Sequence, residues 1–204
     1  MKQVLSVSTG FFHPPFAARR IVDRVLTAVA RIQLSHARSL NSIGGLDMSR
    51  FAALVLYYHR EHLALDALEA FERFVQNGGG VLAIHSATAS FKGQTRYFDI
   101  LGGEFAGHGP VEPFTIEPAL AEDPLFGGIG AFSVTDELYI HDLRPDMTVH
   151  FTATYAGEPQ PIVWTRTVGR GRVCYVVPGH RTATMRQPQM QEILRRGVKW
   201  IIGD

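Results

Sequence analysis

The sequence predicts an α/β protein with a mostly parallel sheet flanked by helices and an added antiparallel, β-rich part in its second half. In the first half, short apolar runs alternate with amphipathic helical segments, the order that gives parallel strands joined by right-handed crossovers. Five strand-like segments with little helix between them make up much of the second half. With 204 residues, 46% of them hydrophobic, the chain fits a single domain over 1–204 with a full core.

The elements of the first half follow from hydrophobic spacing. A strand over 3–8 precedes a Gly- and Pro-rich loop over 10–15, and further strands are predicted over 52–57 and 81–84. The apolar faces of the two intervening helices are formed by Ile21, Val22, Val25, Val29 and Ile32, and by Ala64, Leu68, Phe71 and Val75. Gly78 is suited to end the second helix.

The predicted strands of the second half are 114–117, 131–140, 148–155, 161–167 and 172–177. Gly169-Arg170-Gly171 predicts a hairpin turn between the last two strands, and Pro188 opens a closing amphipathic helix. The single cysteine, Cys174, lies in the last strand and is expected to be a core residue, because apolar surroundings raise a thiol pKa. Because the chain has one cysteine, an intrachain disulfide and a cysteine-based structural zinc site are excluded.

Charge and hydropathy narrow the class of partner. Lys and Arg number 20 against 19 Asp and Glu, and no long run of either sign occurs, so neither a nucleic-acid face nor a membrane-binding patch is indicated. No apolar run approaches membrane-spanning length, and the N-terminus lacks a secretory pattern, so a cytoplasmic protein is expected. The expected partner is a small molecule, and apolar strands offer an edge for a homo-oligomer.

The segment 78–87 is the most informative part of the chain. An apolar strand ends there in His85, between small residues, and strand, sharp turn and helix is the geometry that usually presents a nucleophile above a sheet. A neutral imidazole accepts a proton, orients a substrate or binds a metal, but it is an uncommon covalent nucleophile. Acid–base or metal chemistry is therefore favoured over plain acyl transfer.

Further polar residues are expected near His85, because ligands of parallel sheets bind beyond the carboxyl ends of the strands. Loops with glycine and proline hold His13, His108 and His180, and a loop after a strand holds His59. Glu137 interrupts the apolar strand 131–140, where a buried carboxylate needs a cation or a site to serve. Exposure of Glu137 on an edge of the sheet is the other interpretation.

Several motifs, in this order, resemble the ThuA-like (trehalose-utilisation) family: GGGVLAIHSA at 78–87, LGGEFAGH at 101–108, DELY at 136–139, PIVWTR at 161–166, GRGRV at 169–173 and Gly179-His180. The resemblance covers most of the chain. It implies a class I glutamine amidotransferase-like, flavodoxin-like fold and a sugar or sugar derivative as substrate. True glutamine amidotransferases have a cysteine where this chain has His85, so glutamine hydrolysis through a thioester is not implied. The loop after Ala87 has its own residues, so sugar specificity does not transfer.

The first hypothesis is a carbohydrate-active enzyme acting on a keto-sugar or disaccharide. His85, His108 and His180 perform acid–base catalysis, oriented by Glu137, and His13, His59 and Ser86 contact the substrate. The backbone N–H of Ser86 would point to a bound oxyanion at a helix N-terminus.

Three alternatives remain open. His85, His108 and His180 could bind a divalent metal such as zinc, giving a metal-dependent hydrolase. Ser86 could act as the nucleophile of a hydrolase with His180 as base. The protein could also be a non-catalytic sugar-binding or assembly module that kept the fold after losing the cysteine.

Overall fold

The computed structural model describes residues 1–9, 15–29 and 31–203. Its strands are β1 (Lys2–Thr9), β2 (Ile32–Ala37), β3 (Phe51–Tyr58), β4 (Gly80–Ile84), β5 (Gly103–His108), β6 (Glu112–Pro118), β7 (Phe132–Asp136), β8 (Tyr139–Leu143), β9 (Thr148–Tyr155), β10 (Glu158–Val168) and β11 (Gly171–Val176). Its α-helices are α1 (Pro15–Ala28), α2 (Leu65–Gln76), α3 (Thr95–Leu101), α4 (Thr182–Met185) and α5 (Pro188–Ile202). Short 3-10 helices cover Leu40–Gly45, Met48–Arg50 and His85–Ala87.

A nine-stranded sheet in the order β2-β1-β3-β4-β11-β10-β9-β6-β7 organises the protein. The strands from β2 to β11 are parallel, and those from β10 to β7 are antiparallel. A separate antiparallel pair, β5 and β8, completes the second half. The predicted fold class, a parallel flavodoxin-like sheet with an antiparallel addition, is confirmed.

The core is centred on β4. All five of its residues are buried, as expected for a parallel strand covered on both faces, and burying each of its large aliphatic side chains contributes roughly 1.5–3 kcal/mol. Helix α5 approaches this strand closely, because a Cβ added at Gly80 would lie 2.3 Å from the Ile201 carbonyl oxygen. This packing fixes the strand that carries the first site residue, His85.

Two element predictions were wrong in detail. Ile32 was placed on the first helix, but that helix ends at Ala28 and Ile32 begins β2. The predicted strand 131–140 is broken into β7 and β8, because the chain leaves its partner β6 after Asp136 and pairs with β5 from Tyr139 onwards. Strands β2 and β5 and helices α3 and α4 were not predicted.

The remaining predictions of order and type agree with the structure. The predicted strand over 148–155 coincides with β9, and the predicted turn at 169–171 joins β10 to β11. Helix α5 begins at Pro188, and Cys174 is fully buried in β11. None of the helices described has the length and apolarity needed to cross a membrane.

Candidate functional site

His85 lies at the carboxyl end of β4, in the first position of a 3-10 turn. Its backbone φ is +49°, a left-handed conformation that costs a non-glycine residue about 1–2 kcal/mol and is typical of functional turns. The side chain is completely buried. A Cβ added at Gly179 would lie 2.7 Å from the His85 Cβ, so the loop after β11 packs directly against this residue.

The His85 ring is held from both sides. Its Nδ1 lies 3.0 Å from the carbonyl oxygen of Val177, which can only accept, so Nδ1 carries a proton and donates it. The ring of Tyr139 packs over it at a centroid distance of 4.2 Å. These contacts direct Nε2 towards Glu137, whose Oε2 is 3.5 Å away.

Glu137 lies in the gap between β7 and β8 and faces two imidazoles. Its Oε2 is 3.2 Å from Nδ1 of His180 and 3.5 Å from Nε2 of His85. The two histidine rings approach each other edge-on at a centroid distance of 5.8 Å. The structure therefore brings together three of the four residues predicted to be catalytic: His85, Glu137 and His180.

The electrostatic surroundings keep Glu137 ionised. Burial alone raises the pKa of this carboxyl, but the hydrogen bond with His85 and the charges of His180, His85 and His108 outweigh burial. The pKa of Glu137 is therefore lower than usual. At neutral pH the two histidines face a carboxylate, the form that stabilises an imidazolium or binds a cation.

Asp136 determines where His180 lies. This fully buried carboxylate accepts hydrogen bonds from the backbone N–H groups of His180 at 3.0 Å, Arg181 at 3.1 Å and Gly179 at 3.4 Å. It also accepts one from Glu137 at 2.9 Å. The sequence interpretation gave Asp136 no role, although an aspartate beside Glu137 in an apolar strand was a usable signal. Its three other partners follow β11, far along the chain.

A second polar network supports the turn of His85 from behind. The Tyr175 hydroxyl donates to the His85 carbonyl oxygen at 2.7 Å and lies 2.7 Å from Oγ1 of Thr88. Thr88 Oγ1 is in turn 3.0 Å from Nε2 of His141. Burial lowers the pKa of His141 to about 3, so this ring stays neutral and has a structural role.

The other predicted residues lie around this centre. His108 is exposed at the end of β5, with its ring 5.7 Å from that of Tyr139 and its Nδ1 2.7 Å from the Gly109 carbonyl oxygen. Ser86 is buried next to His85. His13 lies outside the described residues, so its predicted contact with substrate stays a prediction.

His59 lies beyond the centre, in the loop after β3. It lines a cavity of about 350 Å³ together with Arg60, Glu61, Ala89, Phe91 and Lys92. Burial lowers the pKa of His59, and the positive charges of Lys92 and Arg60 act in the same direction, against the opposing charge of Glu61.

The donor atoms of His85, Glu137 and His180 all lie within 4.8 Å of one another. Two imidazole nitrogens and a carboxylate oxygen are a usual ligand set for zinc and related metals. Within the part of the chain that the structure describes, this is the group of residues placed to hold a metal ion, and His108 does not belong to it.

Comparisons with known proteins agree with this architecture. A ThuA-like protein from Parabacteroides merdae has 19% identity and a TM-score of 0.86, with 98% of this chain and 90% of that chain covered. A ThuA-like protein from Bacteroides uniformis has 17% identity and a TM-score of 0.80, with 98% of this chain and 91% of that chain covered. A cytoplasmic protein from Salmonella typhimurium LT2 has 11% identity and a TM-score of 0.72, with 98% of this chain and 99% of that chain covered. These likenesses concern the fold.

The comparison with curated proteins found no match. The family model described as "ThuA: Trehalose utilisation" matches residues 3–201, nearly the whole length of the sequence. The chain therefore belongs to the ThuA, or trehalose-utilisation, family.

Proposed function

We propose that this protein is a carbohydrate-active enzyme that moves protons on a keto-sugar or a disaccharide containing one, with His85, Glu137 and His180 as its acid–base centre. The observation that supports it most is the convergence of two imidazoles on one carboxylate at the carboxyl edge of a parallel sheet, where ligands of such folds bind. The choice of a sugar as substrate is supported by the description of the family, which concerns trehalose utilisation.

The reaction class is enolisation beside a carbonyl. One imidazole takes the proton from the carbon next to the carbonyl, and the other donates a hydrogen bond to the oxygen on which negative charge develops. Return of the proton to the former carbonyl carbon, together with transfer of the proton of the adjacent hydroxyl to the former carbonyl oxygen, completes an isomerisation. General acid–base catalysis of this kind contributes about 10²–10⁴-fold to a rate.

The role of Glu137 is to stabilise the imidazolium that forms. Its carboxylate contacts both rings, so a proton taken up by either His85 or His180 is paired with a negative charge. Tyr139 adds a second donor at the site, because burial and then the charge of Glu137 raise its pKa and keep the phenol protonated. Burial raises the pKa of Cys174 to about 12, so no thiolate is offered for a covalent route.

The test is exchange of substrate protons. The protein is incubated in D₂O with 3-keto-disaccharides, and deuterium incorporation and new products are followed by NMR and mass spectrometry. Incorporation at the carbon beside the carbonyl, lost in His85→Ala and His180→Ala, is the expected result. His36→Ala is the matched control, since His36 lies on β2, away from the site.

Two results would contradict the proposal. If wild-type protein gives neither exchange nor product on any keto-sugar, the enzyme assignment fails. If it binds the sugars without turnover, and the His85 and His180 variants bind them equally well, the protein is a non-catalytic sugar-binding module. We also propose a cytoplasmic location, because the Salmonella protein of similar fold is described as cytoplasmic.

A further inference from the structure

We propose that His85, Glu137 and His180 bind one divalent transition-metal ion of the zinc type, through His85 Nε2, a Glu137 carboxylate oxygen and His180 Nδ1, leaving a coordination position open to substrate. The inference rests on the proposed function in that it concerns the same three side chains. A ring nitrogen that binds the ion cannot also take up a proton, so in the metal-bound protein His85 and His180 would be ligands and not the acid–base pair. The inference can nevertheless fail or succeed independently of sugar turnover.

The ligand chemistry favours a metal of this class. Zinc is commonly bound in catalytic sites by two histidines and a glutamate, with a fourth position for water or substrate. Calcium and magnesium prefer six or more oxygen ligands, which these three side chains do not supply. The set contains two nitrogens and one carboxylate, so it discriminates against the hard cations.

The distances between donor atoms fit a metal centre. Glu137 Oε2 is 3.2 Å from His180 Nδ1 and 3.5 Å from His85 Nε2. Ligands bound tetrahedrally at zinc distances of about 2.0–2.1 Å are separated from one another by about 3.3 Å. All three donor atoms lie within 4.8 Å of one another, so side-chain adjustments can bring them around one ion.

The tautomer of His85 supports the same conclusion. Because Nδ1 donates to the Val177 carbonyl, Nε2, which faces Glu137, is the ring nitrogen placed to bind a metal ion. A backbone carbonyl that accepts the second ring N–H is also the usual outer partner of a metal-binding histidine.

The protein holds the three ligands with different degrees of freedom. His85 is completely buried, and the side chains of Glu137 and His180 are 12% and 29% exposed. The buried Asp136 carboxylate fixes the backbone of His180 by accepting a hydrogen bond from the His180 N–H group. The site is therefore rigid on the side of β4 and open on the side of His180, where an ion can enter and a substrate can reach it.

The experiment measures metal binding directly. Protein made without a polyhistidine tag is stripped with a chelator and titrated with Zn²⁺ by calorimetry and with Co²⁺ by visible absorption. The expected result is one equivalent of either ion per chain and the Co²⁺ spectrum of a site with nitrogen and oxygen ligands. Mg²⁺ should give no stoichiometric binding.

Ligand variants locate the ion. Glu137→Gln and His180→Ala should weaken Zn²⁺ binding by at least about 10-fold, since loss of outer-shell partners alone costs 10–100-fold. His36→Ala, on β2, should bind like the wild type. His180 is partly exposed and lies outside regular structure, so its variant should fold even if His85→Ala does not, and circular dichroism checks each protein.

The outcomes separate the two proposals. Absence of stoichiometric Zn²⁺ and Co²⁺ binding to folded wild-type protein overturns this inference and leaves acid–base sugar chemistry intact. Unchanged binding in both Glu137→Gln and His180→Ala also overturns it, because the ion then lies elsewhere. Stoichiometric binding lost in these variants supports the site even when no sugar is turned over, a result that counts only against the proposed function.

Discussion

The carboxylate of Asp136 accepts the backbone N–H of His180 at 3.0 Å, so one fully buried acid anchors the loop that carries a site histidine. The N–H groups of Gly179, Arg181 and Glu137 point at the same carboxylate. Backbone amides concentrated on a buried anion form strong, charge-assisted hydrogen bonds. Asp136 thereby links the break in the strand, Glu137 and the loop after β11.

Replacing this anion with a neutral amide should loosen the His180 loop. In Asp136→Asn the hydrogen bonds lose their charge, and the new NH₂ group meets backbone donors. We expect a loss of about 1–3 kcal/mol in the free energy of unfolding, measured by urea denaturation. The rate of proton exchange on keto-sugars should fall by more than the loss of folded protein explains. If the exchange rate instead falls only in proportion to the folded fraction, Asp136 has a structural role and does not position His180 for the reaction.

The close approach of Gly179 to His85 leads to a second prediction. A Cβ at Gly179 would lie 2.7 Å from the His85 Cβ, inside any normal contact, so Gly179→Ala should push the two loops apart. We expect a loss of stability of about 1–3 kcal/mol and reduced proton exchange. Gly130→Ala is the matched control, because a Cβ there meets nothing within 4 Å. Equal stability of the two variants would contradict the predicted contact.

The sequence predicted the order of the elements well, because hydrophobic periodicity is a local signal. The strand over 148–155 was placed with its observed bounds. Ile32 was misplaced because its spacing happens to continue the apolar face of α1 past the end of the helix. The break after Asp136 could not be foreseen, since the partners on its two sides, strand β5 and the amides of residues 179–181, are distant in sequence.

The site was predicted less completely than the fold. His85, Glu137 and His180 were named because each interrupts or ends an apolar strand, and parallel topology places such ends at one edge. His108 was given equal weight, yet it lies exposed at the rim, since the register of β5 against β8 decides its position. Which atoms face one another depends on side-chain geometry that spacing does not contain.

Asp123 supplies a pH-dependent contribution to stability. Burial raises its pKa, but hydrogen bonds from the Phe126 N–H, His150 and the Leu125 N–H together lower the pKa below the usual value for an aspartate, 3.8. A group with a lowered folded pKa stabilises the protein above its unfolded pKa, and this stability is lost as the pH falls through the folded value.

We therefore expect the free energy of unfolding to fall as the pH drops below about 4. Asp123→Asn should flatten that part of the profile, while the wild type stays more stable near neutral pH. Chemical denaturation at a series of pH values measures both curves. Parallel curves for the two proteins would show that Asp123 makes no such contribution.

Cys174 provides a test of the core beside the site. It is fully buried in β11, and burial raises its pKa to about 12, so at neutral pH the sulfur is a protonated thiol shielded from reagents. A disulfide reagent such as Ellman's should therefore label almost none of the native protein at about pH 8, close to the ordinary thiol pKa, and one thiol per chain after unfolding.

The denaturant dependence of this labelling connects it to stability. Where unfolding and refolding are fast relative to labelling, the labelling rate should rise with the unfolded population and match the free energy obtained by urea denaturation. Gly130→Ala should label like the wild type, and Gly179→Ala faster, in proportion to its lost stability. Rapid labelling of the native wild type would mean that β11 is accessible, which would contradict the packing of α5 against the strands that carry His85 and His180.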